Sequence, residues 1–166
     1  MRDVTPNQDS RSPGRLPDAI RARAAECPDA AAIVDGDRTW TYTELLDRAG
    51  AVARALRARQ LGPGEPVGIA IDRSAESVAA IIAVLEAGAA YLPLDPAYPA
   101  LRLERMAVDA RLRYAIVQPG LAIPGAQSLA WDDLLVEAAR TPCEPRPDPR
   151  TAGESAAYVI FTSGST

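Results

Sequence analysis

The strongest constraint on the fold is the alternation of short apolar runs with segments whose apolar residues recur at helical spacing. The run PVGIAI (66–71) is apolar throughout, which is typical of a strand buried on both faces of a sheet. An earlier segment has one apolar helical face, formed by Leu45, Ala49, Val52, Ala53 and Leu56. This alternation predicts an α/β fold, a mainly parallel sheet with helices on its faces and right-handed crossovers.

The remaining elements are predicted from the same patterns. Strands are predicted in AAIVDGDRTWTY, as two short strands around the turn Asp35-Gly36, and in AAYLPLD, RYAIVQ and AAYVIF (156–161). Helices are predicted at about 16–26 and 75–87, in the segment after DPAYP with Leu101, Leu103 and Met106 inward, and in WDDLLVEAA. PGLAIPGAQ is predicted to be a loop, and TPCEPRPDPRTAGES a proline-rich surface connection.

Several helix ends carry local signals. Thr41 lies three residues before Glu44, the spacing of a capping box at a helix start. Gly62-Pro63 predicts the end of that helix. Ser74 can cap the next helix, because its hydroxyl can accept a backbone N–H of the first turn.

Composition excludes several kinds of chemistry. The 166 residues include no histidine and no lysine, so a serine triad and a lysine-dependent step cannot be completed within this chain. The net charge of −4 gives no reason to expect nucleic acid or an anionic membrane as a partner. Cys27 and Cys143 are far apart and are interpreted as structural or incidental thiols in a reducing compartment. Residues 1–15 are expected to be a disordered lead-in without an apolar signal region, and the expected location is cytoplasmic.

The strongest candidate for a binding site is the end of the sequence, where an apolar run enters FTSGST. Glycine permits close approach of backbone N–H groups to an anion, and the hydroxyl groups add donors. The candidate phosphate-binding residues are Thr162, Ser163, Gly164, Ser165 and Thr166. This segment matches neither a Walker A loop nor a nucleophile elbow, and by composition alone it is also typical of an ordinary surface loop. No metal ligand is assigned.

Three motifs in order carry a family resemblance. WTYTEL (40–45), LEAGAAYLPLDPAYP (85–99) and AAYVIFTSGST (156–166) resemble the first three core motifs of amino-acid adenylation domains of nonribosomal peptide synthetases. Those domains belong to the adenylate-forming, AMP-binding superfamily. The resemblance covers 16–166 and implies an incomplete N-terminal domain of the adenylate-forming fold.

The resemblance also implies a function. Members of the family use ATP and Mg²⁺ to convert an amino-acid carboxylate into an acyl-adenylate, and then load the acyl group onto the phosphopantetheine arm of a carrier protein. It implies that residues 162–166 form the ATP phosphate loop and that the other two motifs build the scaffold. It assigns no catalytic residue to this chain, because the family's catalytic lysine has no counterpart in a sequence without lysine.

The expected partners are therefore the missing C-terminal remainder of the adenylation domain, a peptidyl carrier protein and an amino-acid substrate. The chain alone is expected to be inactive. Two alternatives remain open on the sequence. One is a fragment of an acyl-CoA or other carboxylate–AMP ligase, and the other is a non-catalytic α/β remnant or interaction module.

Overall fold

The structure, a computed structural model, describes residues 15–142 and 156–161. In these ranges the helices are α1 Leu16–Glu26, α2 Tyr42–Arg57, α3 Ala75–Glu86, α4 Ala100–Asp109 and α5 Trp131–Ala138. The strands are β1 Ala31–Asp35, β2 Arg38–Thr41, β3 Pro66–Ala70, β4 Ala90–Pro93, β5 Tyr114–Val117 and β6 Gln127–Ala130. The predicted lead-in, apart from Arg15, and most of the proline-rich connection lie outside the described residues.

The predicted parallel α/β sheet is confirmed. Four strands pair in the order β4-β3-β5-β6, and all three pairings are parallel. The predicted hairpin is also present, because β1 and β2 pair antiparallel around Gly36, which has a φ of +58° that favours glycine. β3 is central in the sheet and its residues 67–70 are buried, as its uninterrupted apolar run predicts.

Helices cover both faces of this sheet. On one face α2 packs against α3 and α5, and Val67, Ile69 and Ile116 point into that core. On the other face the core combines Leu103 and Ala107 of α4 with residues of β3, β4 and β5 and of the loop after β5. The predicted apolar face of α2 is confirmed, since all five of its residues are buried. The scaffold therefore leaves the ends of the strands free to form a site.

The predicted caps are present, while two helix details differ from prediction. Thr41 and Glu44 form the capping box, and Ser74 accepts the backbone N–H of Ser77. α2 ends at Arg57, before the predicted stop at Gly62-Pro63, and the chain then turns through Gln60 with a φ of +52°. Leu101 does not point inward but is 60% exposed, because the buried face of α4 follows Leu103 and Ala107 instead.

Two strand predictions also need correction. β6 was not predicted from the sequence. It covers the last residue of the predicted loop and the three residues after it, and it lacks the apolar run of a buried strand, since only Leu129 of its four residues is buried. The predicted strand 156–161 lies beside the outer edge of β4 but forms a single parallel bridge, between Tyr91 and Tyr158. Its position is therefore that of a further parallel strand, with much less regular pairing than predicted.

Arginine side chains gather at the C-terminal end of α3. Arg15 donates to the Leu85 carbonyl at 2.6 Å, and Arg57 donates to the Glu86 carbonyl at 3.3 Å. Arg21 forms an ion pair with the Glu86 carboxylate at 2.5 Å, and the Glu86 side chain is only 1% exposed. Positive charge at this end is favourable, because the last carbonyls of a helix carry the negative end of its dipole. The cluster joins α1 and α2 to α3.

Asp35 joins the hairpin to the start of α3 and gives a testable pH dependence. Its carboxylate accepts the Ala75 N–H at 3.1 Å and an Arg38 N–H at 2.7 Å, and these bonds lower its pKa below the ordinary value of 3.8. A lowered folded-state pKa stabilises the fold above the unfolded-state pKa, and the stabilisation is lost as the pH falls through the folded-state value.

We therefore expect Asp35→Asn to flatten the acid limb of stability. As the pH falls from the unfolded-state pKa through the lower folded-state pKa, the free energy of unfolding should fall less in the variant than in the wild type, because the variant has no carboxylate to protonate there. Urea unfolding followed by circular dichroism at several pH values measures this difference. Equal acid slopes for the two proteins would show that the carboxylate contributes nothing.

Candidate functional site

A cleft of about 740 Å³ opens at the carboxyl ends of the parallel strands. The chain leaving β3 contributes Ile71, Asp72 and Arg73 to its lining, and the chain leaving β4 contributes Leu94 and Asp95. In open parallel α/β sheets this edge is where ligands bind, because the strand–helix loops converge there. We call this space the strand-end cleft.

Local backbone bonds fix the wall that follows β4. The Leu94 N–H donates to the Ile69 carbonyl at 2.9 Å, which extends the β3–β4 pairing toward the cleft. Asp95 then builds a turn, since its side chain accepts the Ala97 N–H at 2.9 Å and its carbonyl accepts the Tyr98 N–H at 3.0 Å. Asp95 is thus a turn former, and it also lines the cleft.

The segment before the candidate phosphate loop reaches the same cleft. The Tyr91 N–H donates to the Ala157 carbonyl at 3.1 Å, and the Val159 N–H donates to the Tyr91 carbonyl at 3.0 Å. These two bonds hold 156–161 parallel to β4, so the segment runs toward the carboxyl edge. Ile160 and Phe161 then line the strand-end cleft.

The predicted phosphate-binding residues come directly after this segment. Thr162, Ser163, Gly164, Ser165 and Thr166 lie outside the described residues, so their assignment stays a prediction. The residue that precedes them in the sequence, Phe161, lines the cleft at the carboxyl edge of the sheet. A phosphate loop that follows a parallel strand is expected to start at that edge.

Two arginines at the cleft were not predicted from the sequence. Arg73 directly precedes the cap residue of α3, and Arg102 lies in the first turn of α4. The Arg102 guanidinium carbon lies 3.8 Å from the centroid of the Tyr98 ring, a stacking contact. Arg73 gives a signal in the sequence, since polar residues just after a buried run mark the carboxyl end of a strand. Arg102 gives none, because helix α4 is rich in exposed charge.

Two other kinds of site are absent from the described part of the chain. Within 15–142 and 156–161, no group of three or more acidic, cysteine or histidine side chains could hold a metal ion. No helix in the same ranges has the length and apolar character to cross a membrane. Cys27 is a free thiol of intermediate exposure, and Cys143 lies outside the described residues.

Comparison with known families matches nearly the whole chain. The family described as AMP-binding enzyme matches residues 20–166, a range that includes the strand-end cleft and the candidate loop. The chain belongs to the AMP-binding enzyme family. The resemblance found in the three sequence motifs is thereby confirmed, and the loop 162–166 falls inside the matched range.

Curated relatives of this AMP-binding chain are large peptide synthases. Tyrocidine synthase 3 of Brevibacillus parabrevis is 38% identical over 89% of this chain, and the match spans 2% of that protein. The dimodular nonribosomal peptide synthase of Bacillus subtilis is 40% identical over 91% of this chain, and the match spans 7% of that protein. The chain therefore spans only a small part of the length of these relatives.

Solved structures give the same picture of the AMP-binding fold. The AMPPNP-bound form of the nonribosomal peptide synthetase FmoA3 superimposes with a TM-score of 0.76 at 34% identity, covering 89% of this chain and 16% of that one. The N-terminal subdomain of Klebsiella oxytoca NpsA in complex with 3-hydroxybenzoyl-AMSN gives 0.76 at 26% identity, covering 90% and 38%. The described sheet is thus similar to part of the N-terminal subdomain of adenylation enzymes.

Proposed function

We propose that this chain supplies the N-terminal part of an adenylation domain that activates an amino-acid carboxylate with ATP. In that reaction a carboxylate oxygen attacks the α-phosphorus, the new bond forms the acyl-adenylate, and the bond to the β-phosphate breaks to release pyrophosphate. The observation that carries the proposal is the family match over 20–166, a range that includes the strand-end cleft and the candidate phosphate loop.

The chain's own residues have limited roles in this reaction. The loop 162–166 follows 156–161 in the sequence, and its N–H and hydroxyl donors would hold phosphate oxygens. The capping box and the apolar face of α2 hold the scaffold. The sequence has no lysine, so a lysine for stabilising charge in the transition state comes from chain beyond these residues.

Cofactors and partners follow from the relatives. An AMPPNP-bound neighbour supports ATP as the nucleotide, and Mg²⁺ is proposed as the ion that accompanies its phosphates. A Klebsiella oxytoca neighbour is an artificially fused adenylation–PCP di-domain, which supports a phosphopantetheine-bearing carrier protein as the acceptor. The cytoplasm is proposed as the compartment because ATP is the substrate.

Amino-acid-dependent exchange of labelled pyrophosphate into ATP tests the proposal. The 166-residue chain alone is expected to show no exchange, because it covers under two fifths of the solved N-terminal subdomains. The joined protein, in which residues 20–166 replace the aligned segment of the Bacillus subtilis dimodular synthase, is expected to show exchange. A well-folded joined protein without exchange would argue for the non-catalytic alternative.

A further inference from the structure

We propose that Arg73 and Arg102 bind the outer phosphates of ATP, and the pyrophosphate they form, at the strand-end cleft. The inference deepens the proposed function and rests on it for the identity of the ligand. It assigns the phosphate-binding charge of this lysine-free chain to two named guanidinium groups. Both line the strand-end cleft, together with Ile160 and Phe161.

Both guanidinium groups are available for an anion. Some arginines of the fold are held by carboxylates, for example Arg59 by Glu137 at 2.7 Å and Arg38 by Glu76 at 2.8 Å. Among the described residues, Arg73 and Arg102 form no ion pair and donate no side-chain hydrogen bond. An unpaired guanidinium beside a cleft can offer two parallel N–H donors to a phosphate group.

Arg102 is also held in position. Its guanidinium stacks on the Tyr98 ring at 3.8 Å, and Tyr98 is fixed by its backbone bond to Asp95 in the turn after β4. Stacking uses the face of the guanidinium plane and leaves its N–H edge free, so an anion can bind without displacing the ring. The stack restricts the Arg102 side chain before the anion binds, so less conformational entropy is lost on binding.

The two arginines approach the sheet edge from opposite faces. Arg73 leads into α3, which packs on the face that also carries α2. Arg102 belongs to α4, which packs on the other face. Ile160 and Phe161, the described residues that precede the candidate loop in the sequence, line the same cleft as both cations. The first turn of α3 also lies here through Ser77, with the positive end of the helix dipole.

Two carboxylates, those of Asp72 and Asp95, line the cleft, and removing a negative charge there tests whether the cleft binds an anion. The Asp95 carboxylate already has a hydrogen-bond partner, because it accepts the Ala97 N–H. Asp72 is exposed and, within the described residues, its side chain makes no hydrogen bond or ion pair, while its backbone N–H donates to Gln118. Asp72 repels a phosphate anion in the strand-end cleft, so removing its charge should strengthen binding.

Titration calorimetry of the full 166-residue chain with inorganic pyrophosphate tests the inference. Arg73→Gln and Arg102→Gln are each expected to weaken binding about tenfold, because each removes a charged donor pair. Arg73→Lys should stay within about threefold of the wild type, since a charge is retained. Asp72→Asn should bind more tightly. Arg23→Gln, an exposed arginine of α1 that is paired with Glu26, is the matched control and should bind like the wild type.

The outcomes separate this inference from the proposed function. Absence of saturable pyrophosphate binding by the folded wild-type chain overturns the inference. Binding that survives both glutamine substitutions overturns it too, and leaves the proposed function intact if Ser163→Ala weakens binding. Arginine-dependent binding in a chain whose joined protein shows no exchange supports the anion site and counts against the proposed function. Circular dichroism of each variant confirms that the fold is retained.

Discussion

Replacing Glu86 with alanine is expected to lower the free energy of unfolding by about 3–5 kcal/mol, because it breaks a buried ion pair from one side. The Glu86 side chain is 1% exposed and contacts the Arg21 guanidinium at 2.5 Å. Without the Glu86 carboxylate, Arg21 faces the arginine-rich end of α3 and keeps only its ion pair with Asp18, at 2.9 Å on the more exposed side of the helix. The packing of α1 against α3 then depends on the bond from Arg15 to the Leu85 carbonyl and on apolar contacts.

Urea unfolding of two further variants separates burial from charge. Glu26→Ala removes the carboxylate of an exposed pair, Arg23–Glu26, and should change stability by about 0–1 kcal/mol. Glu86→Gln keeps the volume of the side chain and loses its charge, so its effect should lie between those of the two alanine variants. If Glu86→Ala unfolds at the same urea concentration as Glu26→Ala, the pair does not hold α1 to α3.

The second large effect is expected in the candidate phosphate loop. In the joined protein, the double substitution of Thr162 and Ser163 by alanine should reduce the rate of pyrophosphate exchange by about 10²–10³-fold. This is the usual effect of removing a preorganised hydrogen-bond donor that stabilises the negative charge developing in the transition state. The reduction should appear in kcat/KM for ATP, and unfolding by urea should remain unchanged, because hydroxyl loss in a loop leaves the core intact.

A matched control for this prediction is available in the hairpin. Thr39 in β2 is exposed and, within the described residues, its hydroxyl makes no hydrogen bond. Thr39→Ala should therefore keep the exchange rate of the unsubstituted joined protein. Similar rates for the loop variant and the Thr39 variant would mean that the loop hydroxyl groups do not bind phosphate.

Local patterns were sufficient to predict much of this fold. Periodicity predicted the buried face of α2, and the uninterrupted run 66–71 predicted the central strand. The capping boxes are interactions within one turn, and their spacing can be read directly from the sequence. These features depend on neighbours in the chain, so tertiary contacts did not override them.

Features that depend on tertiary contacts were predicted less well. β6 contains one buried apolar residue, and its place in the sheet comes from pairing with β5. Leu101 is apolar but exposed, because the contacts of α4 with the sheet select the face that carries Leu103. Arg73 and Arg102 are far apart in sequence, and only the convergence of the strand ends brings both to one cleft.

The segment 156–161, at the end of the described residues, was predicted correctly in its position but not in its pairing. An apolar run correctly predicted that 156–161 extends along the sheet, and the structure shows a single bridge beside β4. In the described residues β4 is the only strand beside 156–161. The exposed side chains of Tyr158 and Ile160 are consistent with one uncovered side.

Amino-acid-dependent pyrophosphate exchange by the joined protein is the most direct test of the central claim, that residues 20–166 are a working part of an ATP-dependent adenylation domain. The control is the Bacillus subtilis domain with its own segment, assayed with the same amino acids. Exchange is expected to require both ATP and an amino acid. Its rate should reach at least about one tenth of the control rate, since the catalytic charges outside the segment are unchanged. Exchange at background level, in a joined protein that unfolds as cooperatively as the control, would contradict it.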